Sequence, residues 1–140
     1  MWTINTDGAS RGNPGPASVG VVLKKSGETI REFGRALQYP ATNNVAEYWG
    51  LIWGLEMCRE LVGKEPLTVL MDSELIVKQM QGKYRVKHEA MKPLYEKVRL
   101  ILPLINVVDF VHIPREENKR ADELANRALD AAIKSGSLKP

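Results

Sequence analysis

Cysteine occurs once in the 140 residues, at Cys58, so no internal disulfide can form and a cysteine-ligated zinc site is excluded. No apolar run approaches the ~20 residues of a membrane span. The N-terminal MWTINTDGAS lacks the basic start and apolar core of a signal peptide. These absences point to a cytoplasmic protein with no membrane partner. Internal repeats, low-complexity segments and linkers are also lacking, so residues 1–140 are expected to form one domain, with 134–140 as a flexible tail. Chemical signatures are missing too. There is no G-x-S-x-G, and GNPG lacks the Gly-Lys-Ser/Thr ending of a nucleotide-binding loop. No series of acids has EF-hand spacing.

What remains is an ordinary soluble composition, 44% apolar and 26% charged. The net charge of +3 is unevenly placed: seven Lys/Arg between Lys78 and Arg99 face only Glu89 and Glu96. Such a patch attracts polyanions, although a solvated helix face looks the same in sequence.

Hydrophobic periodicity gives the elements. WTINTD (2–7) alternates, with Trp2, Ile4 and Thr6 on one face, and reads as a strand. SVGVVLKK (18–25) and TIREFGRAL (29–37) flank the turn SGE and extend it into an antiparallel meander. Residues 42–63 form a long helix, with Asn44 and Glu47 in capping-box spacing. LTVLMD (67–72) is a buried, parallel-type strand. Helices follow over 73–82 and 88–102, separated by the basic turn GKYRVK, then a strand over 106–113 and a helix over 117–134. This order predicts an α/β fold, a mixed sheet with helices packed on it.

Four carboxylates stand out against that scaffold. Asp7 and Asp72 each end an apolar strand and precede a small polar residue. Glu47 shares a helical stripe with Leu51, Leu55, Cys58 and Val62, which directs it inward. Asp122 lies at the margin of the stripe Ala121, Leu124, Ala125, Ala128, Leu129 and Ala132. Each has a plain alternative: Asp72 as a helix cap, for which Ser73 serves equally well, or Glu47 as the third position of a capping box. Together they can converge on one patch, where they would repel one another unless cations filled it. Hard oxygen ligands suit Mg²⁺ or Mn²⁺, and a pair of such ions suits phosphoryl displacement.

DGASRGNPGPASVGVVL, TNNVAEYWGLIWGLE, MDSELIVKQMQG and PREENKRADELANRA resemble, in order, the four motifs of type 1 ribonuclease H, to about residue 133. The resemblance implies a ribonuclease H-like five-stranded mixed sheet, order 3-2-1-4-5 with strand 2 antiparallel and helices on both faces. It implies hydrolysis of the RNA strand of RNA/DNA hybrids to 5′-phosphate and 3′-hydroxyl ends, with two Mg²⁺ ions per site and Mn²⁺ as a substitute. Carried over residue by residue, Asp7, Glu47, Asp72 and Asp122 are the metal-binding carboxylates, with Asp7 bridging both ions. Asn13, Thr42, Asn43, Asn44 and Ser73 match positions that contact the hybrid. Glu74 stands where some bacterial members have Gln.

Two features depart from many bacterial members. The basic turn, GKYRVKHEAMKP, is short and has no Trp, so Lys83, Arg85 and Lys87 are expected to give weaker and more salt-sensitive hybrid binding. In place of a mobile His near the last acid, the PRE-x-N pattern points to Arg115 as the group assisting product release. His112 is then a strand-end histidine and His88 a bystander. The rival readings are a DDE-type nuclease core of the same fold, which usually carries further DNA-binding domains, and a catalytically weak hybrid-binding module. Monomer is the default assembly.

Overall fold

The structure, a computed structural model, describes residues 1–139. Strands β1 (Trp2–Ser10), β2 (Ala17–Lys25), β3 (Glu28–Ala36), β4 (Pro66–Met71) and β5 (Asn106–His112) form one sheet in the order β3-β2-β1-β4-β5. The three N-terminal strands pair antiparallel, whereas β4 runs parallel to both β1 and β5. Helices α1 (Asn43–Leu61), α2 (Glu74–Met80), α3 (Lys92–Ile101) and α4 (Lys119–Lys134) connect and cover the strands. No helix among the described residues is long and apolar enough to cross a membrane.

The period-2 alternation of β1 and β2 sorts their side chains onto two faces. Ile4, Val21 and Leu23 pack with Leu51, Leu55 and Cys58 of α1 and with Val69 and Met71 of β4, forming the main core. Burial there pushes the Cys58 thiol up to about 12, so it is an inert core residue. On the opposite face α4 lays down the small stripe Ala121, Ala125 and Leu129, all buried. It approaches β2 so closely that a methyl group at Gly20 would overlap the Ala121 carbonyl. Gly20 is the cross-strand partner of Asp7. The glycine that admits the helix therefore also brings the start of α4 to the end of β1.

Two local expectations need correction. The helix expected over 88–102 begins only at Lys92, because Pro93 suits a first helical turn, whereas His88–Met91 form a turn in which Met91 N–H bonds the His88 carbonyl. Its end tightens into a 3₁₀ turn at Leu102–Leu104. The capping box of Asn44 and Glu47 does not form. Thr42 caps α1 instead, its hydroxyl accepting from Val45 N–H at 3.2 Å. At the C-terminal end, α4 stops at Lys134 and the Leu138 N–H returns to the Ala132 carbonyl, while Pro140 lies outside the described residues.

Candidate active site

β1 continues past Asp7 to Ser10, so Asp7 sits inside the strand and is only 5% exposed. The next residue must be glycine: a Cβ at Gly8 would run into the backbone of Ala46 and Glu47. That contact places the first turns of α1 against the end of β1. The Gly8 N–H, freed for side chains, is shared by Asp7 Oδ1 and Glu47 Oε1. Glu47 is thus held by β1 rather than by its own helix, and its Oε2 is buried with no hydrogen-bond partner.

Asp72 follows β4 directly and is half-buried. Ser73 takes the capping role, accepting from Ile76 N–H at 3.3 Å, which leaves the Asp72 carboxylate to the site. Asp7, Glu47 and Asp72 each offer an oxygen within 4.8 Å of the others'. Asp122, in the first turn of α4, stands outside this tight trio but lines the same cleft. The cleft encloses about 470 Å³ and is also lined by Asn43, Asn44, Ser73 and Arg115.

Gathering acids in this way has an electrostatic cost. Burial pushes the Asp7 carboxyl from 3.8 up to about 7, against the Glu47 hydrogen bond, with the charges of Asp72 and Asp122 adding to the rise. Glu47 is raised well above the ordinary range, first by burial and then by Asp7 and Asp72. Burial raises Asp72 too, opposed by a hydrogen bond from Asn118 and by the positive charge of Arg115. A buried, unpartnered carboxylate oxygen beside two further hard oxygens is a donor set that fits Mg²⁺ or Mn²⁺.

The expected polar contacts fall into two groups. Around the cleft, Asn43 Oδ1 accepts from Ser10 N–H at 2.9 Å and Asn13 Oδ1 accepts from Asn43 N–H at 3.0 Å, tying the loop after β1 to the start of α1. Arg115 lies exposed in a 3₁₀ turn (Arg115–Glu117) at the cleft edge. The basic turn does not reach the acids. Lys83 and Arg85 line a separate groove with Tyr84 and Tyr95, and Lys87 is exposed. His112 ends β5 with its Nδ1 4.0 Å from Glu74.

Sequence reasoning passed over three residues. Arg11 lines the cleft and pairs with Asp130 at 2.5 Å. Asn126 lines it too and donates to the Asp122 carbonyl at 3.0 Å. Asn118, just 1% exposed, donates to Asp72 Oδ2 at 3.3 Å. Its one signal is its place at the helix start, directly before the charged run KRADE.

Comparison with known proteins follows the same lines. The reverse transcriptase-like family matches residues 5–128. The bifunctional protein Rv2228c of Mycobacterium tuberculosis is 43% identical over 135 residues, 96% of this chain but 37% of that protein. Ribonuclease HI of Halobacterium salinarum is 40% identical over 127 residues, 90% of this chain and 63% of that protein. The chain therefore spans little more than a third of the length of the mycobacterial relative. Among solved structures, LC11-RNase H1 in complex with an RNA/DNA hybrid superimposes with a TM-score of 0.88 at 46% identity, covering 95% of this chain and 99% of that one.

Proposed function

Because this chain belongs to the type 1 ribonuclease H family, we propose that it hydrolyses the RNA strand of RNA/DNA hybrids, leaving 5′-phosphate and 3′-hydroxyl ends. The observation that carries this reading is the acid trio, whose oxygens lie within 4.8 Å of one another while Glu47 Oε2 has no partner. Asp7, Glu47, Asp72 and Asp122 are the residues that would hold two divalent cations, Mg²⁺ or in its place Mn²⁺. When bound, such ions supply Lewis acidity toward the scissile phosphate and its attacking and leaving oxygens.

The chain's own groups do the positioning. The Thr42 and Ser73 hydroxyls accept from helix N–H groups, which leaves each O–H free to donate to a phosphate oxygen. Asn13 and Asn43 likewise commit their carbonyl oxygens to backbone N–H groups. Their NH₂ ends, with Asn44 beside them, are left to read the 2′-hydroxyls and base edges of a minor groove. Arg115, exposed at the rim, would draw the cleaved phosphate away.

Lys83, Arg85 and Lys87 act at a distance from the acids, by neutralising phosphates of the hybrid. Replacing all three with alanine is expected to raise KM, leave kcat unchanged, and flatten the log–log salt dependence of binding by about 3 units. An unchanged salt slope would show that the turn stays off the substrate.

The proposal is tested with labelled RNA/DNA hybrid, single-stranded RNA, duplex RNA and duplex DNA in Mg²⁺. Cutting confined to the RNA of the hybrid is the expected result. Hybrid that is bound but left intact would instead assign a binding module.

A further inference from the structure

Asn118 is the most deeply buried polar side chain that touches the acid cluster, and it is not itself an acid. Its amide has three partners. Nδ2 donates to the Thr6 carbonyl at 2.9 Å and to Asp72 Oδ2 at 3.3 Å, while Oδ1 accepts from Asn5 Nδ2 at 3.0 Å. The orientation is set by chemistry: a backbone carbonyl can only accept, so the NH₂ end must face Thr6. That choice points the same NH₂ at Asp72 and presents the oxygen to Asn5. Asn118 also closes the first turn of α4, its carbonyl accepting from Asp122 N–H at 3.1 Å.

One residue therefore touches β1 beside Asp7, holds Asp72 at the end of β4, and sets the turn that carries Asp122. We propose that Asn118 is a positioning residue that joins the two halves of the acid cluster, so that cation affinity depends on its amide donating to Asp72. This inference rests on the reading of the cleft as a cation site. The isosteric acid cannot replace it: in Asn118→Asp an ionised carboxylate would face both the Thr6 carbonyl and Asp72 with no proton to offer. Asn5 contributes one step further out, by holding the Asn118 oxygen.

The test measures thermal stabilisation by Mg²⁺ alone as a function of its concentration, beside kcat and KM for hybrid. Groups that orient metal ligands typically carry about 10- to 100-fold in metal affinity or activity. Asn118→Ala and Asn118→Asp are expected to raise the Mg²⁺ midpoint by that factor and to lower kcat with KM for hybrid unchanged. Asn5→Ala is expected to move the midpoint less and in the same direction, and it keeps the test open if an Asn118 variant fails to fold. Ser18→Ala is the control. It removes a buried hydrogen bond from β2 to the Ala125 carbonyl of α4, and should lower the metal-free Tm without moving the midpoint. If the Asn118 and Asn5 variants behave like Ser18→Ala, with lower Tm but wild-type midpoint and kcat, the positioning role is overturned. Wild-type protein that binds Mg²⁺ but leaves hybrid intact would overturn the nuclease reading instead, while the midpoints still decide on Asn118.

Discussion

Asp7→Asn should reduce hybrid cleavage by at least about 1,000-fold, several kcal/mol of lost transition-state stabilisation, while making the metal-free protein more stable at pH 8. The two effects have one cause. Asp7 is 5% exposed and lies among Glu47, Asp72 and Asp122, so its charge opposes folding when no cation is present. Asparagine keeps the shape and can still accept from Gly8 N–H, as Asp7 Oδ1 does at 2.9 Å, but removes the charge. Cleavage assays and thermal melts on the same preparation check both halves. Retained activity, or a lower metal-free Tm, would show that Asp7 is an ordinary structural carboxylate.

The second large effect is on pH dependence. A carboxyl raised from 3.8 to about 7 in the fold retains its proton where the unfolded chain has lost it. Between those values the native state binds more protons, so stability must fall as pH rises. Glu47, also raised, adds to the same slope. The half-buried Glu32 at the sheet edge, held low by Arg120, works in the opposite sense, and solvent screening keeps it small. In EDTA the Tm should therefore drop by at least about 5 °C from pH 5 to pH 8, since each pKa unit carries about 1.4 kcal/mol. Millimolar Mg²⁺ should restore most of the loss at pH 8 and little at pH 5, because it binds the ionised acids. A Tm that is flat with pH in EDTA would remove the electrostatic basis for the cluster.

The parts of the fold that follow from periodicity were legible in the sequence: the alternation of Trp2 and Ile4, and the stripe from Leu51 through Leu55 and Cys58, map onto the main core. The strand order came from the resemblance, since local pattern does not say which strands pair. Cap identity was less legible. Thr42, Asn43 and Asn44 are all good caps, and only the contact between Gly8 and α1 shows why Glu47 leaves its helix to bond β1. Gly20 reads as a plain strand residue until α4 is seen pressed against it. Asn118 was passed over for a similar reason. Its partners Asn5, Thr6 and Asp72 are 113, 112 and 46 residues away in the chain, and no periodicity connects them.

The most direct measurement is a Mg²⁺ titration, from none to millimolar, of RNA-strand cleavage in a labelled hybrid, run beside the thermal shift of the same protein. The expected result is no cutting in EDTA and a rise in rate over the concentrations at which Mg²⁺ stabilises the fold, both lost in Asp7→Asn. Hybrid cleavage that persists in EDTA, or that survives in Asp7→Asn, would contradict a cation-dependent site built on Asp7, Glu47, Asp72 and Asp122.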